Sequence, residues 1–119
     1  MSAPTLTITE GTTYGFETTW TSNDEARTPV DITGCTAQFA ITPANSRRRL
    51  VDCTTENGGI TLDGPTGHLA VRIAPEMTAG TYSSAWQGAR YELRVTFPSG
   101  DVYSLLRGQV ELIQGVIDD

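Results

Sequence analysis

A strict alternation of apolar and polar residues near the end of the chain is the sequence feature that most constrains the fold. Within Arg90–Phe97 the odd-numbered residues are apolar or aromatic and the even-numbered residues are polar. Residues 98–101 have the sequence PSGD, which is typical of a turn, and Val102–Ile113 is extended again. A two-residue period that leads into a turn predicts a half-buried antiparallel hairpin.

Similar patterns elsewhere predict an all-β chain. Short extended runs end at glycine, proline or asparagine at intervals of about 8–12 residues, which is typical of two packed sheets. Threonine, whose β-branched side chain suits a pleated surface, occurs 19 times. Residues 74–79 offer the one candidate helical turn, with Pro75 in its first turn and Gly80 after it. The sequence therefore predicts a two-sheet antiparallel β-sandwich of about seven to nine short strands, with at most one helical turn.

The predicted strands are separated by turn residues throughout the chain. Asn23–Arg27 is predicted to form a hairpin-like turn, and Tyr82–Ala89 is ambiguous and is interpreted as an irregular lead-in to the next strand. The predicted strands are Thr5–Thr9, Thr12–Ser22, Cys35–Thr42, Leu50–Thr54, Ile60–Leu62, Leu69–Ile73, Arg90–Phe97 and Val102–Ile113.

Length and charge restrict the organisation and the partners of the chain. A chain of 119 residues is expected to fold as one domain, with residues 1–4 and 114–119 flexible or docked on a partner. The net charge of −6 argues against nucleic acid as the main partner, because phosphate binding needs a basic face. There is no apolar run near the ~20 residues of a membrane span, and the N-terminus lacks the pattern of a signal peptide. We therefore expect no membrane insertion and a cytoplasmic site of synthesis.

Two cysteines leave two possibilities open. Cys35 and Cys53 fit no zinc spacing, and His68 is the single histidine that could join them. If Cys35–Thr42 and Arg48–Thr54 pair as a hairpin, the two thiols would fall nearly opposite each other and a disulfide is geometrically possible. Two buried free thiols are the alternative, which a reducing compartment favours.

Titratable residues do not form a recognisable catalytic or metal pattern. His68 lies beside a predicted turn, where a hydrogen-bonded or exposed histidine is typical, and no nucleophile and base are spaced for catalysis. The turn and tail carboxylates do not have the spacing of a calcium loop. We therefore expect no catalytic residue, no cofactor, no metal and no small-molecule substrate.

Several residues are candidates for contacts with other proteins. Arg47, Arg48 and Arg49 form a basic loop whose guanidinium groups suit acidic neighbours, although a solvated loop is the alternative. Tyr82 and Trp86 lie among small polar residues, and tryptophan often anchors interfaces, although a place in the core is the alternative for Trp86.

The last predicted strand is apolar on both faces, which favours a strand covered on both sides, by another sheet or by another subunit. Tyr103, Leu105 and Ile113 are expected on the face opposite Val102, Leu106, Val110 and Leu112.

A series of turn and strand segments also resembles a known group of proteins. Their order resembles that of small tailed-bacteriophage virion proteins with immunoglobulin-like sandwiches and, more distantly, the N-terminal domain of phage baseplate upper proteins. The resemblance covers nearly the whole chain, except for the arginine loop and the segment Ser83–Ala89. The segments are Gly11-Thr12-Thr13, Pro29–Ala37, Thr55–Leu62, Gly67-His68-Leu69, Gly80-Thr81-Tyr82, Tyr91-Glu92-Leu93, Ser99–Val102 and Leu106–Val110.

The resemblance implies an immunoglobulin-like sandwich that serves as a non-enzymatic structural subunit of a virion. Its expected place is the tail, neck, baseplate or fibre-attachment region, and its expected partners are other virion proteins and copies of itself, assembled in the host cytoplasm. A capsid decoration protein is one alternative. A stand-alone carbohydrate-binding or adhesin-like module is another, with Tyr82 and Trp86 as a stacking platform for sugars.

Overall fold

The computed structural model describes residues 5–22, 28–44 and 48–116. They form eight strands and two short 3₁₀ turns, η1 (Pro75–Met77) and η2 (Ser83–Trp86). The strands are β1 (Leu6–Thr9), β2 (Tyr14–Thr19), β3 (Thr36–Thr42), β4 (Val51–Thr54), β5 (Ile60–Asp63), β6 (His68–Ile73), β7 (Arg90–Thr96) and β8 (Val102–Ile113).

The predicted all-β fold is confirmed, with small differences in the elements. Each predicted strand is present, although Thr12–Ser22 is reduced to β2 and an isolated bridge between Thr21 and Pro29. The ambiguous segment before β7 contains η2, so the chain has one more helical turn than predicted. The predicted turn at Asn23–Arg27 lies outside the described residues.

The strands form two sheets with an immunoglobulin-like topology. One sheet has the order β1-β8-β7-β3-β4 and the other has the order β2-β6-β5. The sheet β2-β6-β5 matches strands B, E and D of an immunoglobulin domain. In the other sheet, β8, β7 and β3 match strands G, F and C, and β4 has the position of C′.

One strand pair differs from the predicted antiparallel arrangement. β1 and β8 are parallel, with Leu6 beside Val110 and Thr9 beside Ile113. Only strands joined by a tight turn must run antiparallel, and nearly the whole chain separates these two, so their direction is free of that constraint.

An aromatic contact joins the two sheets at the centre of the core. Phe39 on β3 is fully buried, and its ring lies 5.4 Å from that of Phe16 on β2 and 5.8 Å from that of Tyr91 on β7. Antibody domains place a tryptophan and an inter-sheet disulfide in this region. Aromatic packing therefore holds the sheets together here, with the alternate residues of β3, β6 and β7 completing the core.

A one-residue bulge interrupts the pairing of β7 with β8. Leu93 pairs with Leu106, whereas the next residue of β7, Arg94, pairs with Ser104. Leu105 is therefore an extra residue on β8. Because side chains alternate between faces, one extra residue reverses the face to which the earlier part of β8 points.

The bulge overturns the predicted faces of β8. Tyr103 pairs with the buried Val95 and so lies on the core side, as Leu106 does, and the prediction that Tyr103 and Leu106 face opposite ways is wrong. Leu105 is half-buried and also packs against the core. Beyond the bulge the prediction holds, because Leu112 is buried while Ile113 faces outwards.

The register of β3 and β4 separates the two cysteines. Cys53 lies opposite Phe39, four residues from Cys35, so the thiols do not face each other across the hairpin. Both cysteines are free and buried. Burial, with the nearby charge of Asp52, raises the pKa of the Cys53 thiol to about 11, and burial also raises the pKa of Cys35.

Phe39→Ala should strongly destabilise the fold. It removes the ring that joins the sheets and leaves a cavity, so we expect a loss of about 3–5 kcal/mol in the free energy of unfolding. Urea denaturation followed by tryptophan fluorescence measures the loss. Thr36→Ala, an exposed position on the same strand, is the control and should change the free energy by less than about 0.5 kcal/mol. A loss below about 1 kcal/mol for Phe39→Ala would contradict this account of the core.

Both thiols should be unreactive in the folded protein. At pH 8 a thiol with a pKa of about 11 is ionised to roughly one part in a thousand, and the thiolate is the reactive form. We expect a disulfide-exchange reagent such as Ellman's to detect almost no thiol in native protein. It should detect both after denaturation without a reducing agent, and fewer than two would indicate a disulfide.

Candidate interaction surface

The predicted contact residues have different surroundings in the structure. Arg47 lies outside the described residues. Arg48 and Arg49 are exposed, and Arg49 forms an ion pair with Asp52 at 3.1 Å. Tyr82 is 72% exposed. These exposed side chains remain candidates for contacts.

Trp86 does not lie on the surface. It is 2% exposed, because η2 turns its indole inwards, and η2 packs on β8. Its Nε1 atom has no hydrogen-bond partner among the described residues. The core position is one of the two alternatives that the sequence left open for Trp86, and a 3₁₀ turn can supply it because such a turn directs one side chain of every three to the same side. Trp86 therefore cannot form a stacking platform with Tyr82.

Tyr103 belongs to an aromatic cluster at the end of the sandwich that contains the β7–β8 turn. Its ring lies 5.7 Å from that of Trp20 and 5.5 Å from that of Phe97, and Trp20 and Phe97 are 5.8 Å apart. The contacts are tilted or edge-to-face, which is a favourable arrangement for aromatic pairs. Tyr103 keeps almost half of its surface exposed.

Three exposed apolar side chains lie at the opposite end of the molecule. Tyr82 precedes η2, while Ile113 and Val116 are at and beyond the end of β8 and are 46% and 99% exposed. We call these three residues the terminal patch. Large exposed apolar groups on a folded domain often mark contacts with other proteins.

The carboxylate of Glu10 holds together the segments that carry the terminal patch. It accepts hydrogen bonds from the backbone N–H of Gly80 at 2.8 Å and of Gly115 at 3.2 Å, and from Nε2 of Gln114 at 2.9 Å. Gln114 Nε2 also donates to the carbonyl of Thr81 at 3.0 Å. Gln114 and Gly115, which belong to the tail expected to be flexible or docked on a partner, are therefore hydrogen-bonded to their own chain, whereas Val116 is almost fully exposed. Residues 1–4 and 117–119, for which the same was expected, lie outside the described residues.

Hydrogen bonding also changes the acidity of Glu10. The backbone N–H of Gly80, the side chain of Gln114 and the N–H of Gly115 stabilise the carboxylate and hold its pKa below the ordinary value of 4.5. A glutamate directly before a glycine suggested only the end of a strand. Its role depends on residues about 70 and 105 positions later, which local sequence reasoning could not reveal.

The outward face of the five-stranded sheet carries a second group of exposed residues. Arg49, Arg90, Arg94 and Arg107 line one depression there, although the whole chain has eight basic residues and a net charge of −6. We call this surface the arginine face. The alternation in β7 predicted that Arg90 and Arg94 point away from the core, but the convergence with Arg49 and Arg107 depends on strand register.

Two carboxylates on the arginine face are already bound by their neighbours. Glu92 accepts from Nε of Arg94 at 2.9 Å, and Asp52 accepts from Arg49 and from Nε2 of Gln38, each at 3.1 Å. Partial burial raises the pKa of Glu92. The hydrogen bonds from Ser104 and Arg94 and the charges of the nearby arginines outweigh it and hold the pKa below its ordinary value.

The described residues contain no group of three or more histidine, cysteine, aspartate or glutamate residues placed to hold a metal ion. Within the same residues, no helix has the length and apolar character needed to span a membrane. Among the described residues, the surfaces that could contact another molecule are the terminal patch, the arginine face and the aromatic cluster.

No protein-family model and no curated protein matches the sequence of this chain. Among solved structures, the chain is similar to murine CRIg, with 8% sequence identity and a TM-score of 0.44. That match covers 97% of this chain and 95% of the other. Inferences about function therefore rest on the surfaces described above.

Protonation of Glu10 should release its three hydrogen bonds together. Because its pKa is lowered in the folded state, the carboxylate stabilises the fold above the ordinary value of 4.5, and this contribution is lost as the pH falls through the folded value. In ¹H–¹⁵N NMR spectra, the amide protons of Gly80 and Gly115 should titrate with one shared midpoint below 4.5.

Glu10→Gln should abolish both titrations and reduce stability near neutral pH, and its difference from the unmodified protein should vanish at low pH. Glu17→Gln, which removes an exposed carboxylate from the other sheet, should leave both titrations unchanged. Different midpoints for the two amides would contradict a shared carboxylate.

Proposed function

We propose that this chain is a non-enzymatic structural subunit of a tailed-phage virion, which joins neighbouring virion proteins in the tail, neck, baseplate or fibre-attachment region. The observation that carries the contact role is the terminal patch, in which Tyr82, Ile113 and Val116 expose apolar surface at one end of the domain. The virion setting is supported by the order of turn and strand segments that resembles small virion proteins.

The mechanism of such a subunit is geometric. The sandwich supplies a rigid body about 45 Å long, and the carboxylate of Glu10 fixes the two segments that bear the terminal patch. A preorganised patch loses little conformational entropy when a neighbour covers it. Repetition over symmetric copies would then add many modest contacts into a stable assembly.

The carbohydrate-binding alternative would need stacking residues other than the predicted pair, Tyr82 and Trp86. Trp86 is buried, so the candidate stacking residues become Trp20, Phe97 and Tyr103. Their rings meet edge to face or at a tilt, which does not provide the flat shelf that stacks on a sugar ring. We therefore favour the assembly role over sugar binding.

Quantitative mass spectrometry of purified virions of the encoding phage tests the virion role. A few to a dozen copies of the polypeptide per particle are expected for a tail, neck or fibre-attachment protein. Hundreds of copies would instead support the capsid decoration alternative. Absence from the particles would overturn the virion role, and a glycan array would then test the carbohydrate-binding alternative.

Tyr82→Ser should impair incorporation into the virion without unfolding the protein, because it removes a large exposed ring from the terminal patch. Buried tyrosines at interfaces commonly contribute 2 kcal/mol or more, so we expect incorporation to fall about tenfold or further. Complementation of a gene-deleted phage, followed by mass spectrometry, measures it. Val102→Ser, an exposed apolar residue at the opposite end, is the control, and equal effects of the two changes would contradict a role for the terminal patch.

A further inference from the structure

We propose that the arginine face is a second contact site, which binds a carboxylate-bearing segment of a partner protein in the depression above Ala40. This site is independent of the terminal patch. It is inferred from charge and register on the outward face of the five-stranded sheet, and it does not depend on the virion role.

The depression has a simple origin in the register of four strands. Asp52 on β4 lies beside Ala40 on β3, Ala40 lies beside Glu92 on β7, and Glu92 lies beside Arg107 on β8. Alanine has no side-chain atoms beyond Cβ, whereas the other three residues of its row, and Gln38, Arg90 and Arg94 in the adjacent rows, have longer side chains. The result is a depression of about 800 Å³ with Ala40 in its lining.

Charge pairing on the arginine face leaves Arg90 and Arg107 without an ion pair among the described residues, and of these two only Arg107 lies directly opposite a carboxylate, that of Glu92, in the strand register. The carboxylates of Asp52 and Glu92 are bound by Arg49 and Arg94. Arg90 lies between Thr42 and Gln109 in the strand register, neither of which is charged, and its guanidinium forms no ion pair with any described residue. An incoming carboxylate can therefore pair with Arg90 without displacing an existing partner.

Local charge, rather than the net charge of the chain, governs this contact. At physiological ionic strength the screening length is about 8 Å, so a carboxylate above Ala40 is affected mainly by the groups around the depression. Four arginines and two carboxylates, Glu92 and Asp52, give this surface a net positive charge. Guanidinium groups form two parallel hydrogen bonds with a carboxylate, which adds geometric selectivity to the attraction.

The same surface is poorly suited to a polyanion. Nucleic acid needs a continuous basic track for its evenly spaced phosphates. Here Glu92 and Asp52 interrupt the arginines, and the chain as a whole has a net charge of −6. A single acidic side chain on a loop or strand of a neighbouring protein matches both Arg90, which forms no ion pair with a described residue, and the small side chain of Ala40 in the lining of the depression.

An NMR titration with a synthetic peptide tests this proposal. The probe is the acetylated and amidated peptide Gly-Glu-Asp-Glu-Gly, added to ¹⁵N-labelled full-length protein while the backbone signals and the arginine Nε–H signals are recorded. We expect saturable shifts limited to outward residues of β3, β7 and β8, with a dissociation constant of about 1 mM that weakens as salt is raised.

Two variants and a control locate the binding. Arg90→Gln should weaken peptide binding about tenfold, and Ala40→Gln should weaken it by filling the depression. Arg72→Gln, which removes an exposed arginine from the other sheet, should leave binding unchanged. Unshifted spectra elsewhere in each variant establish that the fold is intact.

Several results would overturn the proposal. They are the absence of saturable shifts up to about 10 mM peptide, equal binding by Arg90→Gln and the unmodified protein, or shifts centred outside the arginine face. Tighter binding of inorganic phosphate or of a short oligothymidylate than of the peptide would replace the carboxylate with a general anion or a nucleic acid. None of these results depends on whether the chain is found in virions.

Discussion

The position of β7 between β3 and β8 is the constraint on which the rest of the structure depends. Its alternate residues divide cleanly into a buried set that meets the second sheet and an outward set that forms the centre of the arginine face. Because β3 and β8 pair with β7 along nearly its full length, the residues of β3 and of most of β8 are divided between the same inward and outward faces as those of β7. Core packing and the candidate contact surface are two sides of one pairing pattern.

Sequence reasoning recovered the elements that local patterns specify. Alternation and turn residues located every strand, and the predicted turn at residues 98–101 joins β7 and β8 as expected. Two features depend on distant partners and were not predictable. They are the bulge at Leu105, which exchanges the faces of β8, and the hydrogen bonds that Glu10 accepts from two remote segments. For Trp86 the sequence left core and interface open, and the structure places it in the core.

Of the two candidate surfaces, one was indicated by local sequence patterns and the other depends on strand register. Tyr82 was singled out as a large side chain among small polar residues and Ile113 as part of a strand that is apolar on both faces, and both are exposed. The arginine face was missed, because its four cations come from β7, β8 and the segment before β4. Arg90, Arg94 and Arg107 are ordinary outward residues of their strands and Arg49 belongs to the loop before β4, so only the register of the sheet shows that the four surround one small side chain. The two surfaces lie at different positions on the domain, so a subunit that used both would contact two neighbours.

The parallel pairing of β1 with β8 also affects how the protein reaches its fold. Leu6 and Val110 are neighbours in the sheet although more than one hundred residues separate them in the chain. Contacts of such long range must wait for the intervening segments to be ordered, and they slow folding. On the ribosome, β1 has no strand partner until β8 has emerged, so its pairing edge stays unprotected while β2 to β7 are made. Although β1 precedes the other described strands in the chain, it is thus among the last to be incorporated into its sheet.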